Sequence, residues 1–144
     1  MSAARRTRFA RLRGQAVIEV ALLAPWVFFL FAGALDMGIY AYALIATEEA
    51  ARTAVEYTSK NAATLADSAG ACQYALTQMG AISNVRELSS CGASPLVVTA
   101  KAVTDADGYS ASLVTVTYAS LNLIPIPGVS SKLTIVRTAQ MMLR

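Results

Sequence analysis

The sequence predicts an α+β protein: one long N-terminal helix, membrane-spanning in its first half and amphipathic in its second, packed on a small antiparallel sheet. Three observations predict it. Residues 20–35, VALLAPWVFFLFAGAL, carry no charge, and the apolar run resumes past Asp36 to Ala46. From there apolar and small residues recur at helical spacing, while the last third of the chain alternates with a period of two. The length of 144 residues suits one small domain plus one membrane segment.

The first fourteen residues read as a basic cytoplasmic leader. Arg5, Arg6, Arg8, Arg11 and Arg13 crowd it with no acid among them. The chain's net charge of +3 hides this asymmetry, because from Gln15 onward seven Lys/Arg stand against nine Asp/Glu, a net of −2. A basic stub before an apolar run holds its end of a membrane helix in the cytoplasm. Five arginines also suit a nucleic-acid arm. The remainder lacks a basic stripe, so no nucleic-acid partner is expected.

Residues 15–46 form the transmembrane half of the helix. A span needs about 20 residues at 1.5 Å each. The stretch bracketed by Glu19 and Asp36 is slightly short alone and more than sufficient when extended to Ala46. Pro25 removes a backbone donor inside it and is a candidate kink. The composition agrees: 56% of residues are hydrophobic and only 15% charged, against a usual charged share of about 25%.

Residues 47–144 are expected to form an extracytoplasmic α+β domain. Tyr40, Ala43, Thr47, Ala50, Ala54, Asn61 or Ala62, and Leu65 fall near one stripe of the continuing helix; Glu48, Arg52, Glu56, Ser59 and Lys60 fall on another. Glu48–Arg52 and Glu56–Lys60 are spaced for pairing. The helix is therefore expected to run from about Gln15 to about Leu65. Residues 71–79 suggest a short second helix ended by Gly80, and residues 83–94, rich in Ser, Asn and Gly, a loop. Leu96–Val103, Tyr109–Tyr118 and Lys132–Ala139 read as three strands of an antiparallel meander. Asp105-Ala106-Asp107-Gly108 is a turn between the first two, and Pro125, Pro127 and Gly128 stiffen the second connection. Val114, Val116 and Tyr118 should share one face of their strand, with Thr115 and Thr117 on the other.

Catalysis finds little support. The chain has no histidine, which removes Ser-His and Cys-His catalysis and His metal sites. Asp105 and Asp107 fail the calcium-loop spacing. Ser59–Lys60 and Ser131–Lys132 are adjacent pairs that point apart. No enzyme activity, cofactor or metal is expected. Cys72 and Cys91 both follow the apolar segment. They suit a disulfide if that part is extracytoplasmic, and two buried free thiols otherwise.

The stretch Arg11-Leu12-Arg13-Gly14-Gln15-Ala16-Val17-Ile18-Glu19-Val20 carries more information. It places a glycine after basic residues, then four uncharged residues, a glutamate and the span. It resembles the prepilin cleavage site, specifically that of the TadE-like pseudopilins of tight-adherence (Flp-type) pilus systems. Gly14 to Glu19 and Pro25 match that family's pattern, and EEAARTAV over Glu48–Val55 resembles its alanine-rich segment. Arg137 to Met141 is similar to its final strand. Val20 departs from the Tyr of the major Flp pilins, which argues for a minor component. The resemblance implies a pilin-like fold, cleavage between Gly14 and Gln15 by a prepilin peptidase, and Glu19 as a subunit-pairing carboxylate. It also implies other pilins or pseudopilins, the inner-membrane assembly platform and the lipid bilayer as partners.

Two other readings stay open. One is a non-pilin, membrane-anchored protein that binds another envelope component. The other is a soluble secreted domain, released by signal peptidase at the A-x-A site Ala32-Gly33-Ala34. Arg5-Arg6 lacks twin-arginine spacing.

Overall fold

The structure is a computed structural model that describes residues 3–120 and 133–144, with side chains from Gln15 onward. It divides into two compact units, Met1–Gly38 and Ile39–Arg144. The elements in order are α1 (Ala3–Thr58), α2 (Ser68–Met79), β1 (Gly92–Ala93), β2 (Leu96–Thr104), β3 (Ser110–Ala119) and β4 (Thr134–Met142). The four strands lie in the order β1-β2-β3-β4, each antiparallel to its neighbour. The fold is α+β, a long helix with a small antiparallel meander, as the periodicity implied.

Alternation builds the core. Leu96, Val98 and Ala100 of β2, Val114, Val116 and Tyr118 of β3, and Ile135 of β4 are buried. The register places Val98 opposite Val116 and Tyr118 opposite both Leu96 and Ile135, so these side chains share one face. In the same core lie Ala43, Ala46, Ala50, Ala54 and Val55 of α1 and Ala71, Ala75 and Met79 of α2. Alanines on these helix faces present only methyl groups, and α2 lies close against β2.

The helical stripe holds as far as α1 does. Ala43, Thr47, Ala50 and Ala54 are buried and Tyr40 packs against the core. Glu48, Arg52 and Glu56 are exposed, and Glu48 and Arg52 form an ion pair at 2.6 Å. The helix stops at Thr58 rather than near Leu65, however. Thr58 donates to the Val55 carbonyl, the Thr64 hydroxyl donates to the Thr58 carbonyl, and the Asn61 side chain accepts from the Thr64 amide. Short polar side chains that bond nearby backbone compete with helix continuation. Asn61 and Ala62 consequently leave the stripe and are exposed. Ser59, expected on the polar side, is buried, with its hydroxyl 3.1 Å from Met141 Sδ. Lys60 does not pair with Glu56 and instead lies 5.8 Å from the ring centroids of Tyr57 and Tyr74.

The turn after α1 is fastened to the sheet from beneath. Ser112 Oγ lies 2.7 Å from Thr58 Oγ1 and 2.9 Å from the Leu65 carbonyl oxygen, all buried. A buried hydroxyl costs stability unless bonded, so these contacts fix where the chain turns.

Helix α2 begins three residues earlier than residue 71. Asp67 is its N-cap, accepting from the amides of Ala69 at 3.1 Å and Gly70 at 2.9 Å. The segment read as loop is less loose than its composition suggests. Val85 is buried, as is Ile82 just before the segment, and Asn84 accepts from the Tyr118 hydroxyl at 2.8 Å. Its end contributes β1, two residues that carry no alternation for a sequence to display. The Asp105–Gly108 turn forms as expected: Gly108 donates to the Asp105 carbonyl and takes φ +83, a conformation glycine adopts without strain. β4 runs on to Met142, three residues past the expected end. Pro125, Pro127, Gly128, Ser131 and Lys132 lie outside the described residues.

Candidate processing and assembly site

The N-terminal motif is entirely helical. Gly14, Gln15 and Glu19 all lie within α1, which also continues through Pro25. Gln15 and Glu19 stand one turn apart on an exposed surface, and Gln15 Nε2 donates to Glu19 Oε1 at 3.5 Å. Helical rise puts the Gln15 backbone nitrogen about 6 Å below Glu19 along the axis. A charge created at that nitrogen would therefore sit about one helical turn from the carboxylate of the same chain.

Beyond Glu19 the helix carries its large apolar side chains outward. Leu22, Trp26, Phe29 and Leu30 are each at least two-thirds exposed. The segment is long and apolar enough to cross a membrane. An apolar helix exposed all round is unfavourable in water and favourable in lipid. Ala32-Gly33-Ala34 also lies inside α1.

The two cysteines form a disulfide, with Cα atoms 5.6 Å apart. It ties α2 to the residue just before β1. The same region closes one edge of the sheet. The Cys91 carbonyl accepts from the Val98 amide at 3.1 Å, and Ser68 Oγ accepts from the Ala100 amide at 2.9 Å. These two groups occupy edge donors of β2 that would otherwise be open to another strand.

Sequence reading missed a second tie, at the start of α2. Tyr57 donates to Asp67 Oδ2 at 2.9 Å while Asp67 Oδ1 caps the helix. A side chain at Gly70 would fall on the Tyr57 ring and the Asp67 carboxylate, so the close approach depends on glycine. The usable signal was the run Asp67-Ser68 before a helical stretch, a standard N-terminal cue.

The Asp67 carboxyl is held below the usual carboxylate range, first by the Gly70 amide and then by the Tyr57 hydroxyl, with burial opposing. A lowered folded-state value means that its contribution to stability is in place above the ordinary pKa of about 3.9 and is lost as pH falls through the lowered value. Asp67→Asn should therefore unfold more readily than wild type at pH 6, with the gap narrowing towards pH 2. Thermal unfolding of the detergent-solubilised chain checks this, and parallel profiles across that range would remove Asp67 from the acid response.

Residues 14–56 match the family model described as TadE-like protein. Over that segment the chain is similar to that family. The TadE-like stretch begins at Gly14 and takes in Glu19, the apolar span and the alanine stripe. It ends inside α1, before the sheet. No curated protein and no solved structure matches the chain.

Proposed function

We propose that this chain is a minor pseudopilin of a tight-adherence (type IVc) pilus, or of a related secretion machine, with a structural role in assembly. On this reading it sits in the inner membrane by one pass. Residues 1–14 are a cytoplasmic leader, residues 15–46 the membrane segment and residues 47–144 the external domain. The observation that carries the proposal is the TadE-like match starting at Gly14, on a helix apolar enough to cross a membrane. The arginine-rich leader supports the orientation, because positive charge keeps to the cytoplasmic side. The Cys72–Cys91 disulfide supports an oxidising compartment for the domain.

The partners that follow are a prepilin peptidase, other pilins or pseudopilins, and the membrane platform that assembles them. Glycine before the cut lets the backbone enter a narrow site. Cleavage after Gly14 frees the Gln15 amine at the helix start, a cation one turn from Glu19.

The mature N-terminus tests this reading. Mass spectrometry of the membrane fraction should find Gln15 first, and Gly14→Leu should retain the leader. A chain beginning at Met1 or Ser2 would be a plain anchor. One beginning at Leu35 would be a secreted domain cut by signal peptidase. Normal maturation of Gly14→Leu would remove the processing motif.

A further inference from the structure

Asp36 interrupts the apolar run, and the membrane reading above leaves it without an explanation. Glu19 and Asp36 bracket sixteen uncharged residues, which span about 24 Å at the helical rise. A hydrocarbon core is about 30 Å thick, some four residues more. The apolar character also continues: Met37, Ile39 and Ile45 are 68%, 45% and 63% exposed. Tyr40 and Tyr42 follow, the residue type that gathers at a membrane interface. The outer boundary thus falls beyond Asp36, which lies roughly one turn inside it. Asp36 is half-buried, and its carboxylate has no hydrogen-bond or ion-pair partner among the described residues.

A carboxylate at that depth is costly unless it meets a cation. A lipid headgroup amine is a poor source, because aspartate has a single methylene and cannot reach outward as Lys or Arg do. A parallel second copy is also a poor source. No Lys, Arg or His occurs between Gln15 and Ala51, and Arg52 lies sixteen residues further on, about 24 Å along the helix.

We propose that Asp36 is a docking carboxylate for a second membrane helix, one belonging to a different polypeptide and carrying a Lys or Arg at the same depth. The inference rests on the membrane-anchor reading. The small residues Ala32 and Gly33, one turn before Asp36, let such a helix approach closely.

The test places a benzophenone amino acid at Gly33, where a side chain meets nothing within 4 Å, in the full-length protein in living cells. Carbonate-washed membranes are then irradiated and analysed. The expected result is an adduct whose linked peptide comes from another protein's apolar segment, with a Lys or Arg within one turn of the link. Asp36→Asn should weaken that adduct about a hundredfold or more, the scale expected when one partner of a buried ion pair is lost, while Asp36→Glu retains it. An adduct unchanged in Asp36→Asn, adducts to lipid alone, or adducts to a second copy alone would overturn the proposal and leave the anchor intact. Absence of the wild-type protein from the washed membranes would overturn the anchor reading as well.

Discussion

Glu19→Gln should reach the membrane at wild-type level, be matured after Gly14, and abolish pilus-dependent attachment. Glu19 lies at the start of the exposed apolar segment, one turn above Gln15. Its hydrogen-bond partner is the neutral Gln15 amide at 3.5 Å, and no basic side chain occurs from Gln15 to Ala51. On the proposed reading, the cation that satisfies it is the amine freed at Gln15, on its own chain or an adjacent one. Breaking a buried ion pair by removing one partner costs about 3–5 kcal/mol, which is roughly two to three and a half orders of magnitude in an association constant. Glutamine keeps the shape and the hydrogen-bonding capacity, so the variant isolates the charge. Glu19→Ala separates this mechanism from that of a plain anchor: losing an unfavourable charge should only improve insertion of an anchor and leave its function intact. Surface attachment assays, read beside membrane levels and the mature N-terminus, decide between them. Attachment at wild-type level by Glu19→Gln cells would end the pairing mechanism, even with cleavage confirmed.

Replacing both cysteines, Cys72→Ser with Cys91→Ser, should lower the stability of the unit Ile39–Arg144 by about 3 kcal/mol, the value expected for a closed loop of this size. The bridge joins residues nineteen apart. It restrains the segment that buries Ile82 and Val85 and that supplies the Cys91 carbonyl to the edge of β2. Its loss should therefore show twice. Thermal unfolding should shift downward, and limited proteolysis should cut first between residues 81 and 92. Wild-type protein from the envelope, labelled with a thiol reagent under non-reducing denaturing conditions, should show no free cysteine. Two labelled thiols there, or an unchanged unfolding temperature in the double variant, would contradict the bridge's role.

The residues behind both predictions stand out in the sequence because each is a residue type at a fixed place. A lone glutamate at the start of an apolar run stands out by composition alone. So does a glycine between an arginine cluster and that run, and the helix carries Gly14, Gln15 and Glu19 as a local unit. The clip of Tyr57, Asp67 and Gly70 was not visible in the same way. Its parts are individually ordinary, and their bond spans ten residues across a turn whose shape the sequence did not announce. Asp36 was visible as a charge but not as an unpartnered one, since only the structure shows that its carboxylate forms no hydrogen bond or ion pair among the described residues.

Local periodicity determined the elements themselves. The uncharged run, the alanine stripe at a spacing of three and four, and the alternation of Val114, Val116 and Tyr118 are properties of neighbours within one helix or strand. Tertiary structure decided where those elements stop and what the connections do. α1 ends at Thr58 while Ser112, fifty-four residues away, bonds the turn that follows. The loop before the sheet buries Ile82 and Val85 and is tied by Asn84 to Tyr118, thirty-four residues on. β1 exists through its pairing with Leu96 and Val97. A polar side chain bonds whichever partner the fold brings within 3 Å, and a two-residue strand is defined by its neighbour. Such contacts join residues far apart in the chain and leave no periodic trace in it.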